Sequence, residues 1–143
     1  MNSSLSQPAL RVFLVDDAIA VRKRIAARFA MIAGVEVVGE AEEPGAALDG
    51  IGATDADVVV VDQHLNGGTG MDVLRALAQR MSPVITIVLT NHSGNGFRQA
   101  CIANGARYFF DKTCEFDLAC NTIELIAYEH GARGLYYLGA HHV

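Results

Sequence analysis

Acidic residues follow two short apolar runs of this chain of 143 residues. Asp16 and Asp17 come directly after Val12–Val15, and Asp62 comes directly after Val58–Val61. Carboxylates that lie close together repel one another unless a cation neutralises them, and a cluster of oxygen ligands suits a hard cation such as Mg²⁺. A carboxylate can also attack phosphorus to form an acyl phosphate, and we expect Asp62 to be that nucleophile.

Two further polar residues follow other apolar runs. Thr90 comes after a run over 84–89, and Lys112 comes shortly after a run over 107–110. A lysine ammonium is a point charge suited to a phosphate oxygen, and a threonine hydroxyl is a neutral donor. Together with the three carboxylates, these residues predict a site at which positioning and electrostatics assist phosphoryl transfer.

Short apolar runs alternate with helical patterns along the whole chain. The apolar runs cover residues 11–15, 35–39, 58–61, 84–89 and 107–110. The helical patterns cover residues 21–32, 44–50, 71–80, 97–104 and 116–127. Strands that are apolar throughout are typical of a parallel sheet covered on both faces, and strict alternation predicts an open α/β fold. In such folds ligands bind at the carboxyl ends of the strands, where the polar residues named above are expected to lie.

Two polar segments have a plainer interpretation. The first helical pattern carries four basic residues beside its apolar stripe, and we expect them to form a solvated helix face. These residues are Arg22, Lys23, Arg24 and Arg28. The glycine-rich segment 67–70 lacks the GK[ST] sequence of a phosphate-binding loop, so we expect a flexible loop that leads into the third helix.

Composition restricts the class of protein further. The formal net charge is −5, so no basic surface for nucleic acid is indicated. No apolar run approaches the roughly 18 residues of a membrane-spanning helix, and the N-terminus lacks the basic flank of a signal peptide. Three cysteines without a pairing pattern are typical of reduced thiols. We therefore expect a cytoplasmic protein that binds neither nucleic acid nor membrane directly.

The polar residues and their order resemble the receiver domain of two-component response regulators over roughly residues 10–127. The resemblance rests on four segments, VFLVDD, VVVVDQHLNGGTG, IVLTN and YFFDKT. It implies a flavodoxin-like (βα)₅ fold, which is a doubly wound five-stranded parallel sheet of strand order 2-1-3-4-5. It also implies Mg²⁺ as the cofactor and a histidine kinase or histidine phosphotransfer protein as the phosphoryl donor.

The resemblance assigns roles to individual residues. Asp62 is implied to be the phosphoacceptor, and Thr90 and Lys112 to contact phosphoryl oxygens. Asp17 is implied to bind Mg²⁺ directly and Asp16 to act largely through water. The implied metal ligands are Asp16, Asp17, Asp62 and the backbone carbonyl of His64.

The resemblance also implies a switch and a surface that reports it. Phe109 matches the aromatic residue that swings inward when Thr90 moves toward the phosphoryl group. The change would be read by a downstream protein on the face formed by the fourth helix, fifth strand and fifth helix. The same face is implied as a possible homodimer interface.

Several positions depart from the family pattern. The departures are Asn66 and Thr113, where proline is common, Asn91, where a small residue is usual, and Phe109, where tyrosine is common. Asn91, His64 and His92 occupy positions that modulate hydrolysis of the acyl phosphate in the family. The alternative for the two histidines is that they are exposed loop residues without such a role.

We expect three segments and one main function. Residues 1–9 are expected to be a flexible N-terminus, residues 10–129 the receiver domain, and residues 130–143 a tail of unassigned role. The expected protein is a stand-alone receiver that signals by protein–protein contact or phosphorelay, and is no enzyme beyond assisting its own phosphorylation and dephosphorylation. The alternatives are an adaptor that works without phosphorylation and a small phosphohydrolase that uses Asp62 as its nucleophile.

Overall fold

The computed structural model describes residues 8–141, with side chains described for residues 8–132. The strands are β1 (Leu10–Val15), β2 (Val35–Ala41), β3 (Val58–Val61), β4 (His64–Leu65), β5 (Gly68–Thr69), β6 (Ile85–Thr90) and β7 (Tyr108–Asp111). The helices are α1 (Ile19–Ala30), α2 (Pro44–Ala53), α3 (Gly70–Gln79), α4 (Asn95–Ala103) and α5 (Phe116–His141). Strands and helices therefore alternate as predicted, with the short strands β4 and β5 in addition.

Five strands form one parallel sheet in the order β2-β1-β3-β6-β7. Because β6 and β7 are the fourth and fifth strands of this sheet, the predicted order 2-1-3-4-5 is confirmed. The centre of the sheet is β3, whose four valines are all buried. An apolar sequence without alternation is explained by this position, since both faces of β3 are covered by other elements.

Each face of the sheet carries its own hydrophobic cluster. One cluster joins Val59 and Val88 to buried residues of α2, α3 and α4. The other joins Val60 and Ile87 to buried residues of α1 and α5. Neighbouring residues of a strand point to opposite faces, so the helices packed on both faces hold each strand in position. The carboxyl ends of β1, β3, β6 and β7 are therefore held at one edge of the sheet.

The glycine-rich segment after Asp62 is a small hairpin, so the prediction of a flexible loop was wrong. His64 pairs with Thr69 and Leu65 pairs with Gly68 in an antiparallel ladder. The turn between them contains Gly67 at a φ of 72°, a left-handed conformation that glycine adopts without steric cost. The hairpin leads into α3, which begins with a capping box formed by Thr69 and Asp72.

The last helix is longer than its apolar pattern. It continues through residues 130–141, which the sequence left unassigned. The segment has no proline, and its glycines do not by themselves end a helix. Of the expected flexible N-terminus, residues 1–7 lie outside the described residues, and β1 begins at Leu10. Among the helices that the structure describes, none combines the length and the apolar character needed to cross a bilayer.

Candidate phosphoryl-acceptor site

Three carboxylates converge at the carboxyl edge of the sheet. One oxygen atom each from Asp16, Asp17 and Asp62 lies within 4.8 Å of the others. Strand pairing explains the proximity, because Val15 and Val61 are register partners and the acids follow them directly. Asp16 and Asp62 are only 4% and 8% exposed, so their mutual repulsion is weakly screened by water.

Lys112 joins this cluster from the loop after β7. Its Nζ donates to Asp16 Oδ2 at 2.7 Å and to Asp62 Oδ2 at 2.8 Å. Burial lowers the pKa of Lys112, but hydrogen bonds and charge interactions with the two aspartates outweigh burial and leave that pKa raised. The lysine is therefore positively charged and neutralises one of the three carboxylates.

The chemistry of the donor set fits Mg²⁺. Three carboxylates and one ammonium leave a local excess of two negative charges. One divalent cation would neutralise this excess. The oxygens not bonded to Lys112 are held by the backbone, since Ala18 N–H donates to Asp16 Oδ1 and Gln63 N–H to Asp62 Oδ1. His64, whose carbonyl is the remaining expected ligand, lies two residues after Asp62 at the start of the hairpin.

Thr90 ends β6 and is completely buried. Its Oγ1 accepts a hydrogen bond from the His92 backbone N–H at 3.2 Å. Its carbonyl accepts from the backbone N–H of Lys112 at 2.9 Å. The threonine and the lysine are therefore fixed relative to one another through the backbone, as predicted from their places at the ends of the adjacent strands β6 and β7.

Phe109 lies inside the protein, with 3% of its surface exposed. Its ring meets the Phe97 ring edge-on at a centroid distance of 5.8 Å. The guanidinium of Arg98 lies 5.6 Å from the centroid of the same ring. The aromatic residue singled out by the sequence is thus in its inward position and is packed against α4.

The two histidines beside the site contact each other. The rings of His64 and His92 have centroids 4.7 Å apart and are tilted by 43°, and both residues are exposed. His92 also lies 6.1 Å from the ring of Phe97. Two departures from the family pattern meet nearby, since Thr113 Oγ1 donates to Asn91 Oδ1 at 3.0 Å.

Arg22 is buried, so the prediction that it belongs to a solvated helix face was wrong. Its side chain is 8% exposed, and its Nε lies 2.8 Å from Glu40 Oε1. Its Nη1 donates to the backbone carbonyl of Asp16 at 2.6 Å. Spacing could have revealed this, because Arg22 precedes the buried Ile25 and Phe29 by three and seven residues and shares their face of α1. Lys23, Arg24 and Arg28 are exposed as expected.

Gly70 is a further site residue that the sequence analysis did not identify. It is the first residue of α3, and a Cβ atom there would overlap the backbone carbonyl oxygen of Asp62. Its N–H donates to the carbonyl of Gln63 at 2.9 Å. The close approach of the two backbones explains why this position holds glycine.

The fold and the site together define a class of protein. A family model described as the response regulator receiver domain matches residues 12–124. The chain therefore belongs to the receiver family of response regulators, the phosphorelay domains of two-component systems, and the resemblance stated from the sequence is confirmed.

Individual relatives carry similar descriptions. The chain is 32% identical over 97 residues to the DNA-binding transcriptional activator DevR/DosR of Mycobacterium tuberculosis, covering 68% of this chain and 45% of the relative. It is 30% identical over 99 residues to a protein-glutamate methylesterase/protein-glutamine glutaminase of Chromobacterium violaceum, covering 68% of this chain and 28% of the relative. The chain thus spans less than half the length of these two proteins.

A solved structure supports the same assignment. The crystal structure of a two-component response regulator of the LuxR family from Aurantimonas superposes with a TM-score of 0.78 at 28% sequence identity. The superposition covers 85% of this chain and 86% of that chain. Relatives with added activities are matched only in part, so the similarity concerns the receiver domain and its fold.

Proposed function

We propose that this protein accepts a phosphoryl group on Asp62 from a histidine kinase or histidine phosphotransfer protein, in a reaction that depends on Mg²⁺. The signal then passes to a downstream protein by contact or onward by phosphorelay. One observation carries the proposal: Lys112 bridges the buried Asp16 and Asp62 within a cluster of three carboxylates. The proposed setting is the cytoplasm, and the receiver domain is proposed to bind neither nucleic acid nor membrane directly.

The chemical step requires one nucleophile and one leaving group. A carboxylate oxygen of Asp62 forms a bond to phosphorus while the P–N bond of a phosphohistidine breaks. The imidazole nitrogen keeps the electron pair and takes a proton from water. Lys112 then exchanges its bond to Asp62 for one to a phosphoryl oxygen, which stabilises the charge that spreads over those oxygens. Bound Mg²⁺ would supply further positive charge there, held by Asp16, Asp17, Asp62 and the carbonyl of His64.

Thr90 and Phe109 would couple phosphorylation to a change of surface. Within the described residues Thr90 Oγ1 accepts one hydrogen bond, from His92 N–H, which leaves its own proton to bond to a phosphoryl oxygen. The Phe109 ring is already inward and packs against α4, and movement of the hydroxyl toward the phosphoryl group would stabilise this position over an outward one. We propose that the face of α4, β7 and α5 reports this change and can also form a homodimer, which sedimentation with and without beryllofluoride would test.

The phosphoryl donor is proposed to bind beside α1. A groove of about 490 Å³ lies between α1 and the loop after β7, and it reaches Lys112. Arg24 and Arg28 line one side of it and Phe116 lines the other. A donor domain seated in this groove would bring its phosphohistidine close to Lys112, which bonds to Asp62.

The proposal is tested by the mass of the intact protein. Incubation with Mg²⁺ and a small acyl-phosphate donor should add one phosphoryl group to the wild type. The group should be absent from an Asp62→Asn variant and from wild type treated without Mg²⁺. No adduct, together with no effect of beryllofluoride, would favour an adaptor that works without phosphorylation. Continuous turnover of a phosphate ester would favour a phosphohydrolase.

A further inference from the structure

Glu42 connects the two loops that carry the carboxylate cluster. It follows β2, and its two carboxylate oxygens face different partners. Oε2 lies 3.5 Å from Arg22 Nη2, and Oε1 accepts from Asn66 Nδ2 at 3.1 Å. Its backbone carbonyl also accepts from the N–H of Asn66 at 2.8 Å. One residue of the β2–α2 loop is therefore bonded both to α1 and to the hairpin after Asp62.

The Arg22 side of this connection ends at the cation ligands. Arg22 Nη1 donates to the carbonyl of Asp16 at 2.6 Å, which fixes the peptide between Asp16 and Asp17. Glu40 holds the other end of the same guanidinium at 2.8 Å. Because the arginine side chain is only 8% exposed and bonded at three nitrogens, it has little freedom to move.

The Asn66 side ends at the acceptor loop. Asn66 forms the turn of the hairpin whose first strand is His64–Leu65, and Asp62 lies four residues before it. Its two hydrogen bonds to Glu42 therefore hold the hairpin against the β2–α2 loop. The hairpin contains the carbonyl expected to bind Mg²⁺, so its position affects the geometry of the cation site.

We propose that Arg22, Glu42 and Asn66 are positioning residues that set the distance between the two ligand-bearing loops and thereby the affinity for Mg²⁺. The inference rests on the proposed function, because it takes the carboxylate cluster as the cation site. Mg²⁺ demands near-ideal octahedral geometry, so a small displacement of either loop weakens binding. Groups that hold metal ligands in place commonly have this effect.

The sharpest test separates position from charge. Arg22→Met removes a positive charge near the cluster, so electrostatics alone would strengthen the binding of a divalent cation. Loss of positioning would weaken it instead. We expect calorimetric titration of the unphosphorylated protein to show roughly tenfold weaker Mg²⁺ binding for Arg22→Met, in the range typical for groups that support metal ligands.

Lys23→Met is the matched control. Lys23 bonds to the same Glu40, at 3.2 Å, and its removal changes the charge equally, but its side chain is 63% exposed and does not bond to Asp16 in the described part of the chain. This variant should bind Mg²⁺ as tightly as the wild type or more tightly. Phosphorylation of Arg22→Met should recover toward the wild-type rate at saturating Mg²⁺, which a lasting defect of the catalytic groups would not allow.

A second variant covers the case in which Arg22→Met does not fold. Asn66 is exposed, and Asn66→Ala removes the hydrogen bond from its side chain to Glu42. It should weaken Mg²⁺ binding several-fold, in the manner of other supporting groups. If Arg22→Met or, failing that, Asn66→Ala binds Mg²⁺ as the wild type does, the inference is wrong while the proposed function stands. If the wild type itself does not bind Mg²⁺, both are wrong.

Discussion

Charged residues lie at both edges of the main sheet, but their partners differ. At the carboxyl edge, Lys112 bonds to the side chains of Asp16 and Asp62, and these aspartates are nearly inaccessible to water. At the amino edge, Asp57 Oδ2 accepts from the backbone N–H of Arg11 at 2.8 Å. Arg11 Nε in turn donates to a backbone carbonyl at 2.9 Å, and both of these side chains are partly exposed.

The difference separates residues that maintain the fold from residues available for chemistry. At the amino edge the bonds are reciprocal, since Asp57 N–H also donates to the carbonyl of Arg11, and they fix the start of β1 against the segment before β3. At the carboxyl edge negative charge is in excess and desolvated. Such a site costs stability until a ligand neutralises it, which is the usual relation between an active site and the stability of its fold.

The largest expected effect comes from removing Lys112, the only cation bonded to the side-chain carboxylates of Asp16 and Asp62 among the described residues. Lys112→Met leaves Asp16 and Asp62 buried without their partner, so we expect the free energy of unfolding to fall by about 3 kcal/mol. Urea denaturation measures this value. Mg²⁺ should restore part of the loss, because it neutralises the same carboxylates. A stability that is unchanged, or that Mg²⁺ does not affect, would contradict the account of this edge.

Two glycines allow a matched comparison of close packing. Gly70→Ala places a methyl group against the carbonyl oxygen of Asp62, and we expect a loss of about 2 kcal/mol in the free energy of unfolding. Gly52, near the end of α2, has no atom within 4 Å of an added Cβ, so Gly52→Ala should raise that free energy by about 0.5 kcal/mol. Thermal or urea unfolding of both variants tests the contrast, and equal effects of the two substitutions would show that the approach to Asp62 is not tight.

Asp57 provides the corresponding test at the amino edge. Asp57→Ala leaves the N–H of Arg11 without its partner, and we expect a loss of about 1 kcal/mol in the free energy of unfolding. Phosphorylation by the small donor should proceed at the wild-type rate at saturating Mg²⁺. A changed phosphorylation rate with intact folding would mean that the two edges are coupled. The assignment of the amino edge to the fold and of the carboxyl edge to the chemistry would then be wrong.

The elements of the fold could be predicted because the central strands are buried on both faces. A run such as Val58–Val61 is unmistakable when no position has to face water. The strand order and the roles at the site came from the family resemblance, since periodicity alone does not show which strands lie next to each other in the sheet. The end of α5 could not be predicted, because glycines at positions 131 and 134 interrupt the apolar spacing while the backbone continues as a helix to His141.

The surroundings of the site were harder to predict because they depend on partners distant in sequence. A basic residue within a helix is usually solvated, and Arg22 is buried only because Glu40 and Glu42 on another element neutralise it. Asn66 bonds to a residue 24 positions earlier, which no local pattern indicates. Residues that carry the chemistry were recognisable by type and place, whereas residues that hold them in place were not.

Asp111 shows that position at the carboxyl edge does not by itself make an acid part of the site. Its carboxylate accepts from the N–H of Cys114 and of Thr113, and the residue is partly exposed to solvent. The Cys114 N–H, then the Ser93 side chain and the Thr113 N–H, lower the pKa of Asp111 from 3.8 to about 2. These bonds favour the charged form and hold the turn that leads into α5.

The sign of the pH dependence follows from the lowered pKa. Because the folded protein binds a proton at Asp111 less readily than the unfolded chain, its contribution to stability is complete above pH 3.8 and is lost as the pH falls toward about 2. Asp111→Asn should therefore be slightly less stable than the wild type at neutral pH, and the difference should shrink across that interval. Urea unfolding of both proteins over this range measures it. A difference that grows on acidification would mean that Asp111 is repelled by the carboxylate cluster and belongs with it.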